Sequence, residues 1–446
     1  MPSTKCRGCF QSFATVPGAP FAAVRSGPLH SIVCGSGADK DMRGPPCARR
    51  ARVLYCVRNP LPHGGPSGLD PAAIVKTLAA LVRADADCAA VLNRIHERDW
   101  PELARAAAAH RAAPLLFSRL SAARALDLAP GPERVFLERE ARGAGAMNAL
   151  LLNEHARVVR TAAEIDAPLL ALKGAHLVSS GVYRADERPM TDLDYAIRAA
   201  HAARACDALS KLGYELDAAG PGDEFTRKYA REFLLKRTVA QTPVAVELHD
   251  ALIPSLALRA AFPLSADRLH DHAHADSNGF PVPCPEHALL FCILHFAVTH
   301  RFSRLIWLVD IDRMCRGFAI DWDAFEEETR QARAESAVHA ALRAARALLG
   351  TDAPDARFAV RGALPGRVID RRAALWLAGA APAAEISALP FALCRKPARA
   401  LLRHAFPPAD FIALRYGVPA VAAPAWAAAR PLLLAARALR ALRGKK

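Results

Sequence analysis

No stretch of about 18 uncharged apolar residues occurs in the chain, so no transmembrane helix is expected. The start lacks a basic segment followed by an apolar one, and no secretory signal is read there. Zinc-finger spacing is missing too. Cys6-Arg7-Gly8-Cys9 has the form of half a zinc knuckle, but no second Cys-x-x-Cys or His pair follows at ligand spacing. The six cysteines beyond residue 70 are scattered singly among apolar neighbours, and read as reduced core residues of a cytoplasmic protein. A basic middle is also absent. The formal charge is +15, yet residues 1–70 hold nine Lys/Arg against three Asp, and residues 391–446 hold eleven against one Asp. Residues 71–390 are left with a net charge of −1. That argues against a duplex-binding face beside a central active site.

What is present favours helix. Of 446 residues, 52% are apolar, and Ala, Leu and Arg, which rank highest in helix propensity, dominate. Residues 1–70 mix Gly, Pro, Ser, Arg and five cysteines without a period, and are expected to be a disordered leader. An N-terminal helical region is expected over 71–162, with Asp99-Trp100-Pro101-Glu102 opening one helix and a long stretch through Leu150 and Val158 leading onward. A small mixed-sheet core should fill 163–255, a helical domain 256–390 and a basic helical tail 391–446. The fold class expected is therefore α+β, mostly helical, with the sheet embedded between helical segments.

The chain is organised around that core. Leu169 to Leu172 reads as a short buried strand that stops at Lys173-Gly174. A helix over Ala175–Tyr183 would place Lys173 and Gly174 at its N-terminus, where free N–H groups favour an anion. Gly174 would allow close approach of a ligand to the backbone. Next comes Asp192-Leu193-Asp194-Tyr195-Ala196-Ile197. In a strand, Asp192 and Asp194 share one face while Leu193 and Tyr195 point the other way. Neighbouring carboxylates repel, and burying them is costly unless something positive stands between them; a hard divalent cation does this. Val244 to His249 alternates again and can supply Glu247 from an adjacent strand, with His249 on the same face.

Lys173-Gly174, Arg188-Pro189-Met190-Thr191-Asp192-Leu193-Asp194 and Glu247-Leu248-His249 together resemble the bacterial uncharacterised nucleotidyltransferase family, within the DNA polymerase β-like nucleotidyltransferase superfamily. The likeness continues through Gly213-Tyr214, Pro285-Glu286, His295, His300 to Ile311 and Ile320-Asp321-Trp322. It departs from the superfamily in having Lys173-Gly174-Ala175 where Gly-Ser is usual. The resemblance implies transfer of a nucleoside monophosphate from a nucleoside triphosphate to an acceptor, with two magnesium ions (Mg2+). Asp192, Asp194 and Glu247 would be the catalytic metal ligands. Lys173 and Gly174 would cradle the triphosphate, and Arg188 would add charge. His249, His295 and His300 are pocket candidates, the last two equally readable as packed histidines on an apolar helix.

Other features read as structural. Arg227-Lys228, Arg231 and Lys236-Arg237 suit a solvated charged face better than a phosphate site, and His110 and His155 suit satisfied or surface positions. His270-Asp271-His272-Ala273-His274 has metal-like composition in a loop-like setting, and Asp310 and Asp312 suit structural roles. Pro431 to Arg443 reads as a short basic amphipathic helix that packs on the helical domain or touches anionic lipid or a partner. The nucleotide and the acceptor are not legible; sugar, metabolite, RNA end and protein side chain stay open. A non-catalytic nucleotide-binding or regulatory protein is the rival reading.

Overall fold

The computed structural model describes residues 70–217, 223–276 and 279–443. The leader and its Cys6/Cys9 pair lie outside the described residues. The architecture is mostly helical α+β, with one small mixed sheet.

Five strands form that sheet: β1 (Leu170–Ala171), β2 (Leu193–Ala196), β3 (Glu215–Leu216), β4 (Glu232–Val239) and β5 (Thr242–His249), in the order β1-β2-β5-β4-β3. β2 and β5 run parallel, and every other neighbouring pair is antiparallel. The segment expected as a charged surface contributes β4, half of a hairpin with β5. Its alternation is weak because Phe233 and Leu235 are buried while Leu234, on the other face, is only half-buried. The basic residues there pair with acids of the fold: Lys236 with Asp217, Arg237 with Glu154, Arg231 with Asp250 and Lys228 with Asp410.

One helix, Gly131–Glu164, backs the sheet, and its 34 residues span about 51 Å at 1.5 Å per residue. Leu137, Ala141, Ala144, Asn148, Leu151, His155, Val158 and Ala162 recur every three or four residues and form its buried stripe. Two of the eight are polar, and each ties the helix to the core. His155 Nδ1 lies 2.9 Å from the Tyr195 hydroxyl, on the face of β2 opposite the aspartates. Asn148 donates to the carbonyls of Ala185 and Arg188 at 2.6 and 2.7 Å, and accepts from Met190 N–H at 3.0 Å. The loop that enters β2 is thereby fixed.

Toward the C-terminus, Pro285–Leu294 is an almost wholly buried helix that loosens into a π-helical turn at His295–Thr299. Leu305–Gly317 follows, then Trp322–Gln331, capped by Asp321 on Asp323 and Ala324 N–H. That helix ends at Gln331, Arg333 is left-handed (φ +54°), and Glu335–Leu349 starts anew. Asp310 holds Arg188 and Tyr183, while Asp312 holds Arg316 and Thr351. The last helix runs Ala423–Arg443 with Pro431 inside it, rather than beginning at Pro431. No helix among the described residues is long and apolar enough to cross a membrane.

Candidate active site

Lys173 opens a seven-residue helix, Lys173–Ser179, directly after β1. Leu172 N–H donates to Asp194 C=O at 2.9 Å, so the end of β1 is fastened to the middle of β2. Lys173 itself takes φ +49°, in the left-handed region that a residue with a Cβ rarely occupies. Gly174 is needed for space: a Cβ there would stand 2.9 Å from Met190 Cγ. The Lys-Gly step therefore lies close against Met190, in the loop that leads into β2.

Parallel pairing sets Asp194 opposite Glu247 and Ala196 opposite His249. Asp194 Oδ1 receives Lys173 Nζ at 2.6 Å and lies 3.0 Å from His249 Nε2. The same imidazole nitrogen is 3.6 Å from Glu247 Oε2, and Nδ1 is 3.9 Å from Glu232 Oε2. Asp194, Glu247 and His249 each offer an atom within 4.8 Å of the others, and among the described residues no other such group of three could hold an ion. Asp192, expected in the same set, lies outside that cluster; Thr191 Oγ1 donates to its Oδ1 at 3.3 Å.

The electrostatics follow from crowding acids around one lysine. Burial alone would raise the Asp194 carboxyl, but Lys173 and the His249 bond reverse this and hold it well below the carboxylate range. Glu247 goes the other way: burial, then Asp194 and Glu232, push it up to about 8. Burial and Asp194 also raise Asp192, against Lys173 and Arg111. Burial would lower Lys173, and the three carboxylates raise it instead. A dication fits this donor set: a carboxylate pushed to about 8 favours any cation that displaces its proton.

His295 and His300 stand together because the π turn brings residues five apart onto one side. Their rings are 4.3 Å apart, with Trp307 at 5.0 and 4.2 Å and the Arg304 guanidinium 4.9 Å above the Trp307 ring. Burial and then the Lys173 charge hold both imidazoles neutral, His300 at about 3. Arg188 stands elsewhere than on an open pocket wall. It is buried, gives Asp310 a two-bond pair at 2.9 and 2.8 Å, and donates its remaining arm to Pro189 C=O. Its charge answers Asp310 beneath Gly174.

Three residues near the site escaped sequence reading. Asn148 had a signal, as a polar residue in an apolar helical stripe. Glu232 went with the unread strand β4. Arg111 had none; its guanidinium reaches Thr191 Oγ1 at 3.4 Å and lies near Asp192. The five histidine-rich residues disperse: His270 meets the Ala196 carbonyl, and His272 stacks edge-on to His287.

A buried lysine at a helix start, facing carboxylates from two parallel strands, defines a site suited to a polyanion and a cation together. The sequence model of the uncharacterised nucleotidyltransferase family matches residues 96–350, and the chain belongs to that family. Comparison with curated proteins and with solved structures gave no match.

Proposed function

We propose that the protein is a divalent-cation-dependent nucleotidyltransferase, taking a nucleoside triphosphate and passing its monophosphate to an acceptor in the cytoplasm. The observation that carries this reading is Lys173 at the helix start, 2.6 Å from Asp194 and beside the Asp194–Glu247–His249 cluster. Asp194, Glu247 and His249 would hold the ion, with Asp192 on the same edge. A bound dication would supply charge to the triphosphate and acidify an acceptor hydroxyl. Lys173 and the Gly174 N–H would face the phosphates. Arg188 is held by Asp310, so the charge assigned to it falls to Arg111, which has a long bond to Thr191 and stands near Asp192. Glu247 is the base candidate for the acceptor proton, with His249 next. His300 and Trp307 would flank whichever flat group enters beside Lys173. A weak contact of the basic C-terminal helices with an anionic surface belongs to the same reading.

Purified protein incubated with each labelled triphosphate and a divalent cation should release pyrophosphate and yield a labelled product. Triphosphate binding without pyrophosphate, across candidate acceptors, would favour the regulatory reading.

A further inference from the structure

The carboxylate that a pair of ions would share is already in use. Asp194 Oδ1 is 2.6 Å from the Lys173 ammonium and 3.0 Å from His249 Nε2. Lys173 is no long surface side chain that has folded inward. Its side chain is 16% exposed, and its own backbone is bent to φ +49° at the point where Leu172 is bonded to Asp194. Local strain of this kind persists only where surrounding structure imposes it. The ammonium is thus built into the strand crossing.

The remaining donors are unlike a magnesium cage. The atoms within 4.8 Å of one another come from two carboxylates and one imidazole, and Asp192 is not among them. Magnesium prefers oxygen and keeps its waters, whereas imidazole suits the transition-metal dications, among which manganese shares magnesium's liking for carboxylates and so fits a set of two carboxylates and one imidazole. Glu232, 3.9 Å from Nδ1, stands on the side from which a carboxylate orients a metal-bound imidazole.

We propose that this is a one-ion site: Asp194, Glu247 and His249 hold a single manganese-like dication, and the Lys173 ammonium takes the place of a second ion beside Asp192 and Asp194. The inference rests on the nucleotidyltransferase reading for the presence of a metal, and departs from the two magnesium ions that the resemblance implies. A second dication at contact distance from a fixed ammonium is repelled, while one ion and one ammonium can face a triphosphate together.

The test is a count. Full-length protein without nucleotide is titrated with Mn2+, free ion being followed by electron paramagnetic resonance, and Mg2+ is added as competitor. One Mn2+ per chain is expected, bound on the order of tenfold or more tighter than Mg2+. Lys173→Met, isosteric and uncharged, should raise the count to two, and Lys173→Arg should keep it at one. His249→Gln should weaken Mn2+ by about tenfold or more and bring it close to Mg2+. Circular dichroism establishes that each variant is folded; should Lys173→Met unfold, the wild-type count and His249→Gln decide. Two ions of like affinity in the wild-type protein, or unchanged Mn2+ binding in His249→Gln, would overturn the proposal. Pyrophosphate release is scored separately: turnover with two ions bound sinks this inference alone, and a single bound ion without turnover sinks the transfer reading alone.

Discussion

Glu247 is the residue whose chemistry is most open to measurement. Burial and the acids around it push its carboxyl up to about 8, so a cation entering there displaces a proton. Divalent affinity should therefore rise close to tenfold per pH unit below 8 and level off above it, and Glu247→Gln should flatten the slope. The sign for stability runs opposite. A carboxyl raised on folding contributes stability that is present below its unfolded value and lost as pH rises through the folded one. Without metal, the melting temperature should fall as pH rises from about 5 to 8 and level off above, and added Mn2+ should restore it. On an established substrate, Glu247→Gln should cut turnover on the order of a hundredfold, and nucleotide affinity should fall with the weakened ion rather than independently of it. Intact turnover would move the base assignment to His249.

Among the elements, the loop entering β2 and the β4–β5 hairpin make the sharpest expectations. Asn148 is fully buried and supplies three hydrogen bonds to that loop. Asn148→Ala leaves two carbonyls and one N–H without partners, at a cost of about 2–4 kcal/mol, seen as a lower denaturation midpoint. Because the loop sets Thr191 and Asp192, nucleotide affinity should fall as well, whereas a purely distant packing defect would spare it. At the hairpin, Val239 pairs with Thr242 across Ala240-Gln241, whose φ angles are +46° and +65°. Both central residues of a two-residue type I′ turn need positive φ, and neither of these is glycine or asparagine. Gln241→Gly should stabilise the chain by about 1 kcal/mol, read as a melting temperature a few degrees higher. No gain would mean the turn is already relaxed.

Across the whole molecule, charge and exposed apolar surface meet near the C-terminus. The helix Pro397–Ala405 and its cap present Arg399, Leu402, Arg403 and Phe406 on one face, and Leu402 and Phe406 are 59% and 54% exposed. Trp426, on the last helix, is half exposed too. Asp410, the sole acid from 391 onward, is paired with Lys228. Such a face suits a weak hold on an anionic bilayer, with arginines at the headgroups and rings at the interface. The protein should sediment with phosphatidylserine vesicles at low salt, release near physiological or higher salt, and lose the effect in Leu402→Asp/Phe406→Asp. Equal binding to neutral vesicles would remove the electrostatic part.

The sequence by itself determined the fold class, the helical bias and the acid-bearing strands, because these rest on local propensity and on period-two or period-3.6 patterning. Leu193 and Tyr195 on the face opposite Asp192 and Asp194 is such a pattern, and so is Leu248 between Glu247 and His249. Tertiary structure alone decided what each charge faces. Arg188 and Arg111 look alike in sequence, yet one is spent on Asp310, 122 residues away, and the other stands by Asp192. β4 stayed illegible because its inner face holds only Phe233 and Leu235 as buried residues, and Glu232, Lys236 and Arg237 break up the apolar pattern. His295 and His300 became neighbours only through a π turn that no propensity signals. Ion pairing depends on distances of a few Å between segments far apart in the chain, and periodicity carries no information about those distances.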